Sequence, residues 1–216
     1  RKVVITSGPT HERIDPVRYI ANRSSGKQGH AIAQAALRAG AQVVLVSGPV
    51  ALADPTGVQT HHVETARDMM AAVEASMPAD IFIGAAAVAD WRVENAGDQK
   101  VKKSLSGGPF LQFAENPDIL AHVAAKTSGR PRLVVGFAAE TQNVIAYAQD
   151  KLARKKCDLI VANDVSPARG VMGGAQNEVH LVSKAGVESW PLLDKDEVAR
   201  RLIVTLADLL KKGGAA

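Results

Sequence analysis

Five short runs rich in valine, isoleucine and leucine recur along the chain, and they restrict its fold more than any other feature. The runs lie at residues 3–6, 42–46, 81–84, 133–136 and 159–162. The segments between them have the apolar spacing of helices, and strands that alternate with helices in this way form a parallel sheet covered on both faces. The pattern therefore predicts an α/β fold: a Rossmann-like, mostly parallel sheet with helices on both faces.

Capping residues predict where the helices between these strands begin. One helix is predicted to begin after Thr65, a favoured N-cap residue, and another at Asn116, with Pro117 at the first helical position. Two further helices are predicted over residues 144–156 and 197–210 from their apolar spacing.

Two segments interrupt the alternation of strands and helices. Residues 93–109, called the flap below, are polar and glycine-rich and carry three lysines: Lys100, Lys102 and Lys103. Such a stretch has too few apolar residues to bury itself, so we expect a mobile loop. Residues 178–183 and 188–192 are predicted to form a C-terminal hairpin.

Composition favours one globular domain that binds an anionic small molecule. The 216 residues, with a mass of 22.7 kDa, suit a single domain over residues 1–216. Aromatic residues make up only 4% of the chain, whereas proteins that bind single-stranded nucleic acid stack bases on exposed rings. The formal charge of +4 is a modest excess, so no nucleic-acid partner is predicted.

The chemistry of single residue types narrows the setting further. Cys157 is the only cysteine, so no internal disulfide can form and a reducing, cytoplasmic setting is expected. The six histidines lack the spacing of a metal-ligand pair, so no protein-ligated metal site is predicted. No apolar stretch is long enough to cross a bilayer and no signal peptide is recognised, so no membrane partner is predicted. Because the chain begins at Arg1 without methionine, we expect it to be a domain of a longer protein.

A glycine-containing turn before the first helix invites comparison with dinucleotide-binding proteins. Residues 24–29 read Ser-Ser-Gly-Lys-Gln-Gly, which matches the dinucleotide fingerprint with serine in place of the first glycine. The match is weak, because residues 7–23 separate it from the strand and residues 46–49 lack the acid that would hold a ribose. An NAD(P)-dependent oxidoreductase of Rossmann type is therefore the alternative hypothesis, and a non-catalytic nucleotide-binding module is the third.

Residues 84–91 follow the third predicted strand, at the sheet edge where open α/β folds bind ligands. Their small side chains would leave the backbone accessible to a flat base, and Asp90 could accept from a ribose hydroxyl or help position a metal-bound phosphate. A tightly packed sheet end with Asp90 as a helix cap is an equally good interpretation. The flap lysines likewise fit either a lid that brings cations to phosphates or a solvated charged loop.

Seven segments of the chain are more informative as an ordered set than any one of them is alone. They are residues 7–15, which begin Ser-Gly-Pro-Thr, and residues 18–26, 84–90, 100–103, 116–119, 136–141 and 162–165. Taken together, they resemble the phosphopantothenoylcysteine synthetase domain, the second half of the bacterial bifunctional decarboxylase/synthetase of coenzyme A biosynthesis. The likeness covers essentially the whole chain.

The resemblance implies a homodimeric ligase that joins 4′-phosphopantothenate to L-cysteine. CTP would be the co-substrate and Mg²⁺ the cofactor, held mainly through the triphosphate. The substrate carboxylate would attack the α-phosphate to give an acyl-cytidylate and pyrophosphate, and the amine of cysteine would then displace CMP. No flavin is expected in this domain, because the flavin-dependent decarboxylase is expected to be fused to it in the full protein.

Carried over by position, the resemblance also implies which residues form the site. Gly84, Ala85 and Ala86 are implied to read the cytosine. The other implied nucleotide-binding residues are Asp90, Lys100, Asn116, Pro117, Asp118, Ile119, Phe137, Lys151 and Lys155. The implied residues of the acyl-substrate side are Asn22, Arg23, Ser24 and Gly26. Asn22 is implied to act in forming the acyl-cytidylate, and Lys100 in converting it to product.

Overall fold

The computed structural model describes residues 1–100, 110–166 and 176–213. The helices of these residues are α1 (Lys27–Arg38), α2 (Ala66–Ala75), α3 (Ile119–Ala124), α4 (Val144–Lys155) and α5 (Lys195–Lys211). The strands are β1 (Lys2–Ser7), β2 (Glu12–Arg13), β3 (Tyr19–Ile20), β4 (Gln42–Ser47), β5 (Gln59–His62), β6 (Ile81–Gly84), β7 (Trp91–Val93), β8 (Phe113–Glu115), β9 (Leu133–Glu140), β10 (Leu159–Asp164), β11 (Gln176–Asn177), β12 (Val179–Ser183), β13 (Gly186–Ser189) and β14 (Leu193–Asp194). Each of the five apolar runs lies in a strand, as predicted.

Eight strands form one sheet in the order β13-β12-β10-β9-β6-β1-β4-β5. The six strands from β10 to β5 pair in parallel. The hairpin predicted from residues 178–192 is present as β12 and β13, and β12 joins the main sheet antiparallel to β10. The predicted fold class is therefore confirmed.

Helices cover both faces of this sheet. On one face, α1 and α5 bury Ile32, Leu202 and Leu206 against the strands. On the other face, α2, α3 and α4 pack through residues such as Met69 and Val123, which are completely buried. Each such side chain stabilises the fold by about 1.5–3 kcal/mol relative to its exposed state. Helix packing thus occupies both faces and leaves the carboxyl edge of the parallel strands for a ligand.

The predicted start of α2 is confirmed in atomic detail. The Thr65 hydroxyl accepts a hydrogen bond from the backbone N–H of Asp68, and the Asp68 carboxylate accepts one from the N–H of Thr65 at 3.0 Å. This reciprocal pair satisfies two N–H groups that the helix itself cannot use. The helices predicted over residues 144–156 and 197–210 are also present, as α4 and α5.

The predicted start of α3 was wrong by two residues. Asp118, not Asn116, is the N-cap, and its carboxylate accepts from the N–H of Ala121 at 3.0 Å. The side chain of Asn116 cannot cap the helix, because its Nδ2 donates to the carbonyl of Ala89 at 2.8 Å. A tertiary contact has overridden a local capping preference.

Three short ribbons, β2–β3, β7–β8 and β11–β14, were not predicted. Strands of two or three residues are too short to show a hydrophobic period. The β7–β8 ribbon forms the base of the flap, where Lys100 is exposed. Lys102 and Lys103, with the rest of residues 101–109, lie outside the described residues.

Candidate functional site

A cleft of about 1100 Å³ opens at the carboxyl ends of the parallel strands. Residues at the ends of β1, β6, β9 and β10 line its floor. The turn before α1, the loop after β6, the start of α3 and one side of α4 form its walls. An open α/β sheet binds ligands at this edge because the strand ends and loops there diverge.

One wall is the polar turn that precedes α1, which includes Asn22, Arg23 and Ser24. Asn22 is exposed to the cleft, and its Nδ2 donates to the carbonyl of Val88 at 3.0 Å. An amide nitrogen carries two hydrogens, so this bond orients Asn22 and leaves a second N–H for a ligand. The bond also joins the turn directly to the loop after β6.

The end of this turn is held by a buried hydrogen-bonded cluster. Gly26, the N-cap of α1, has a φ of 74°, a left-handed conformation that glycine adopts without strain. Its carbonyl accepts from the Ser7 hydroxyl at 3.0 Å and lies 3.1 Å from Nδ1 of His30. Burial lowers the pKa of His30, which favours its neutral form. The cluster fixes the turn relative to β1 and gives the cleft a rigid wall.

The loop after β6 differs from the accessible backbone that the sequence suggested. The N–H groups of Ala85 and Ala87 donate to the carbonyls of Thr6 and Gly8, at 3.2 and 2.9 Å. The remaining two alanine N–H groups of the loop donate to threonine hydroxyls of the neighbouring segment. A base that enters the cleft here therefore meets carbonyl oxygens and small side chains, because these N–H groups are already bonded.

Asp90 does not cap a helix, so that interpretation was wrong. It is exposed at the cleft and leads into β7. Its carbonyl accepts from the backbone N–H of Asn116 at 2.9 Å. The side chain of Asn116 bonds Ala89 through Nδ2, and its Oδ1 is buried in the cleft wall without a partner. Asn116 thus joins the β6 loop to the segment before α3 and keeps one acceptor unsatisfied.

The wall formed by α4 is cationic, because Lys151 and Lys155 of this helix line the cleft. Nζ of Lys151 donates to the carbonyl of Phe137 at 2.7 Å, and burial, with the neighbouring charge of Lys155, lowers its pKa. Lys155 forms an ion pair with Asp118. Burial acts to raise the pKa of Asp118, but the bonds from Lys155 and from the Ala121 N–H outweigh it, so the net shift is downward. The carboxylate is therefore ionised at neutral pH.

Fifteen of the sixteen residues that the resemblance implied line this one cleft. Lys100 is the exception, since it is exposed on the flap and does not line the cleft. The segments that carry the fifteen are up to 133 residues apart in sequence, from Asn22 to Lys155. The strand order of the sheet is what brings them together.

The family model of the DNA/pantothenate metabolism flavoprotein C-terminal domain matches residues 1–210. The chain belongs to this family. Its curated relatives include the "Coenzyme A biosynthesis bifunctional protein CoaBC" of Vibrio cholerae, 49% identical over 201 residues that are 92% of this chain and 50% of the relative. The protein of the same name from Escherichia coli K12 is 50% identical over 204 residues, 93% of this chain and 50% of its own. The chain therefore spans about half the length of these relatives.

Solved structures agree with this family assignment. A crystal structure of the C-terminal domain of Coenzyme A biosynthesis bifunctional protein CoaBC is 40% identical and has a TM-score of 0.82, over 98% of this chain and 96% of that one. A Cab2 mutant in complex with phosphopantothenate-cysteine has a TM-score of 0.78 at 17% identity, over 96% of this chain and 86% of that one. The second likeness shows a shared fold.

Several residues of this flavoprotein C-terminal domain line the cleft but were missed from sequence. Gln28, Asn177 and Lys195 are among them. Gln28 lies in the first turn of α1, directly after the polar turn, so its neighbours could have indicated it. Asn177 lies in the two-residue strand β11, and Lys195 begins α5, so nothing in their local sequence signals a site.

Acidic residues, histidines and cysteines are the side chains of this domain that could hold a metal ion. Within residues 1–100, 110–166 and 176–213, no three His, Cys, Asp or Glu side chains are grouped to hold a metal ion. Carboxylates do line the cleft, at Asp90, Glu115 and Asp118, and Asp118 is engaged by Lys155. Such separate carboxylates suit a Mg²⁺ ion that gains most of its ligands from a nucleotide and water. No helix in the described part of the chain is long and apolar enough to cross a membrane.

Proposed function

We propose that this domain is a CTP-dependent ligase that joins 4′-phosphopantothenate to L-cysteine. The observation that carries the proposal is the division of one cleft into two adjoining parts. The Asn22 turn forms one part, and the β6 loop with the start of α3 and the α4 lysines forms the other. An acyl group in the first part would lie beside a nucleotide in the second, which is what transfer of a nucleotidyl group to a carboxylate requires.

The family supports the same activity. The curated relatives are named as bifunctional proteins of coenzyme A biosynthesis, and the Cab2 mutant was captured with phosphopantothenate-cysteine, the product of such a ligation. The 40% identical structure is the C-terminal domain of a CoaBC protein, which corresponds to nearly the whole of this chain. The substrates are therefore proposed from the names of the relatives, and the type of reaction from the two adjoining parts of the cleft.

In the first half-reaction, a carboxylate oxygen of 4′-phosphopantothenate attacks the α-phosphorus of CTP. A new acyl–phosphate bond forms as the bond to pyrophosphate breaks. Both reactants are anions, so the cations of the α4 wall, Lys151 and Lys155, lower the repulsion by binding the phosphates. Asn22 is neutral, so its second N–H would orient the carboxylate without an ion pair that reduces its nucleophilicity.

In the second half-reaction, the unprotonated amine of cysteine attacks the acyl carbon, CMP leaves with the electron pair of the broken bond, and the amine nitrogen releases one proton to water as it becomes the amide. We propose that Lys100 serves this step, since a protonated lysine would neutralise the phosphate of the departing CMP. Because Lys100 is exposed and does not line the cleft, it would have to move towards the cleft to act there. A movement of this kind would also exclude water from the acyl-cytidylate.

Mg²⁺ is proposed as the cofactor, bound mainly to the triphosphate. When bound, it supplies neutralisation of phosphate charge. Asp90 and Glu115 are exposed carboxylates of the cleft and are the residues that would approach it, directly or through water. Asp118 is less suited, because its charge is already balanced by Lys155.

The oxidoreductase alternative lacks comparable support. A dinucleotide-binding domain needs an acid after the second strand to hold the ribose. In this sheet the strand next to β1 is β4, which ends at Ser47, a buried residue whose hydroxyl donates to the carbonyl of Gly48 at 2.9 Å. A non-catalytic nucleotide-binding module would account for the cationic wall but not for the polar turn beside it.

Pyrophosphate release tests the proposed activity directly. We expect release to require CTP and 4′-phosphopantothenate together, with kcat/KM at least about tenfold higher for CTP than for ATP. Each nucleotide incubated without the acid is the control for simple hydrolysis. A protein that releases no pyrophosphate from either nucleotide with the acid present is not this ligase, and a preference for ATP would contradict the assignment of the base site.

We also propose that the domain is a homodimer, assembled through an exposed apolar patch on two of the ribbons. The patch is formed by Val17, Tyr19, Trp91, Phe110 and Phe113, each at least half exposed. The two ribbons, β2–β3 and β7–β8, contact each other through β2 and β7. Large apolar residues grouped on a surface in this way are typical of an interface. Trp91 also lines the cleft, so a second copy on this patch would lie next to the site.

Replacing Phe113 with aspartate should therefore weaken the dimer. A buried charge without a partner at such an interface is expected to raise the dissociation constant at least about tenfold. Sedimentation velocity over a concentration series measures the change. The matched control is Val204→Asp, since Val204 is equally exposed but lies on α5. Equal dissociation of both variants, or none of either, would contradict this interface.

The wider setting follows from the names of the relatives. We propose that residues 1–216 form one ligase domain and that a flavin-dependent decarboxylase is fused to it in the full protein, because the relatives are bifunctional and about twice as long. The flavin would belong to that other domain. A cytoplasmic location is proposed on the same basis, since the substrates are intermediates of coenzyme A biosynthesis.

A further inference from the structure

Two buried amide oxygens at one end of the cleft have no hydrogen-bond partner. They are Oε1 of Gln28 and Oδ1 of Asn177. Both residues line the cleft, and Asn177 is only 4% exposed. Almost all buried polar atoms in proteins are paired, because an unpaired one loses its bond to water and gains nothing in return. A buried acceptor that is left unpaired at a ligand cleft is therefore a candidate contact for the ligand.

The fold brings these two residues together from distant parts of the chain. Nε2 of Gln28 donates to the carbonyl of Lys195, the first residue of α5, at 3.1 Å. Asn177 pairs in β11 with Leu193 of β14, the strand that leads directly into α5. Both residues thus lie beside the same short segment, residues 193–195, and we call their two oxygens the acceptor pair.

The bond to Lys195 also settles which end of the Gln28 amide is available. Turning the amide round would place Oε1 against the carbonyl of Lys195, and two acceptors repel each other. The oxygen of Gln28 must therefore remain the unpaired atom. Oε1 of Gln28 is therefore a hydrogen-bond acceptor that faces the cleft, and only a ligand group that donates a hydrogen can bond to it.

The acceptor pair lies on a different side of the cleft from the lysines of α4. Lys151 and Lys155 belong to α4, which packs on one face of the sheet, whereas α1 and α5, which flank the pair, pack on the other. Phosphate oxygens are acceptors, so bare amide oxygens give them no stabilisation. The two oxygens, which share the cleft with Lys27 and Lys195, are suited to a ligand group that donates hydrogen bonds.

We propose that the acceptor pair binds the hydrogen-bond donors of the acyl substrate, namely the hydroxyl or the amide N–H of its chain, and selects for substrates that carry them. The inference rests on the proposed function, because it takes 4′-phosphopantothenate as the acyl substrate. That molecule has one secondary hydroxyl and one amide N–H along its chain. Gln28 follows the Asn22 turn closely, in the first turn of α1, and both line the cleft. Its role is recognition, and the reacting atoms need not touch it.

Two variants that remove one side-chain amide each test the inference from the protein side. Asn177→Leu and Gln28→Met keep roughly the size and shape of the side chains, and Gln28→Met also removes the N–H that donates to the carbonyl of Lys195. Each is expected to raise KM for 4′-phosphopantothenate about tenfold, the effect of one lost hydrogen bond, with kcat and the KM values for CTP and cysteine within about twofold. Thr60→Val is the matched control: Thr60 also has a buried unpaired oxygen, but it lies on the edge strand β5 and does not line the cleft.

Substrate analogues test the inference from the ligand side, with the wild-type protein and with the two variants. One analogue replaces the hydroxyl of the chain with hydrogen, and another carries a methyl group on the amide nitrogen. At least one is expected to have a KM about tenfold higher than the parent compound in the wild-type protein, and to lose most of that difference in the matching variant. The analogue that shows this coupling identifies which donor meets the pair.

The possible outcomes distinguish a failure of this inference from a failure of the proposed ligase function. Wild-type protein that releases no pyrophosphate would refute the ligase. Active protein that accepts both analogues as well as the parent would refute the acceptor pair alone, whether or not the variants fold. A rise in KM confined to CTP or to cysteine, or an equal rise for all three substrates, would also overturn it.

Discussion

Replacing Asn22 with alanine is expected to lower the rate of pyrophosphate release about 100- to 1000-fold, the usual effect of removing one donor aimed at a reacting group. The side chain is exposed to the cleft and oriented by its bond to the carbonyl of Val88. Truncation removes the N–H that would position the carboxylate and leaves the rest of the turn, held by Ser7 and Gly26, in place. The loss should therefore affect catalysis much more than folding.

A rapid-quench measurement of the first turnover would test the Asn22 prediction, because it reports acyl-cytidylate formation before cysteine acts. Gln59→Ala is a suitable control, since it removes an exposed amide from the far edge strand β5. Thermal unfolding of both variants should match the wild type within a few degrees. Acyl-cytidylate formation at the normal rate by Asn22→Ala would show that this residue is not needed for the first step.

Replacing Lys100 with glutamine should separate the two half-reactions. We expect the first burst of pyrophosphate to remain, and acyl-cytidylate to accumulate because its conversion to product slows by about 100-fold or more. Glutamine keeps most of the length of the side chain but removes the positive charge that would neutralise the departing CMP. The prediction thus tests a charge effect on the second step.

Mass spectrometry of quenched reactions would detect the intermediate in the presence of cysteine. Lys184→Gln makes the same change at an exposed lysine in the turn between β12 and β13, away from the cleft, and should behave like the wild type. Product formation at the wild-type rate by Lys100→Gln would remove the lysine from the mechanism. Loss of the pyrophosphate burst would instead place its role in the first step.

The fold was predictable because its main strands carry a strong signal. The strands β1, β4, β6, β9 and β10 are buried runs of Val, Ile and Leu. Edge strand β5 reads Gln-Thr-His-His and is mostly exposed, so no apolar pattern marks it. A strand appears in the sequence as a continuous apolar run only where both of its faces are buried.

The site was predictable to the extent that its residues lie in continuous motifs. Asn22 and Asn116 were indicated by the segments around them, although the capping role expected of Asn116 was wrong because its side chain bonds Ala89. Asn177 could not be found in this way. It reaches the cleft through a two-residue strand paired with β14, a tertiary contact that its neighbours in sequence do not encode.

The ion pair between Lys155 and Asp118 has a consequence for which anions can enter the cleft. An anion that is to bind this ammonium must compete with a carboxylate already held in place by the N-terminus of α3. A ligand with a single negative charge gains little from such an exchange, whereas one with several charges can also reach Lys151 beside it. The ion pair is therefore expected to favour the binding of polyanions over that of anions with a single charge.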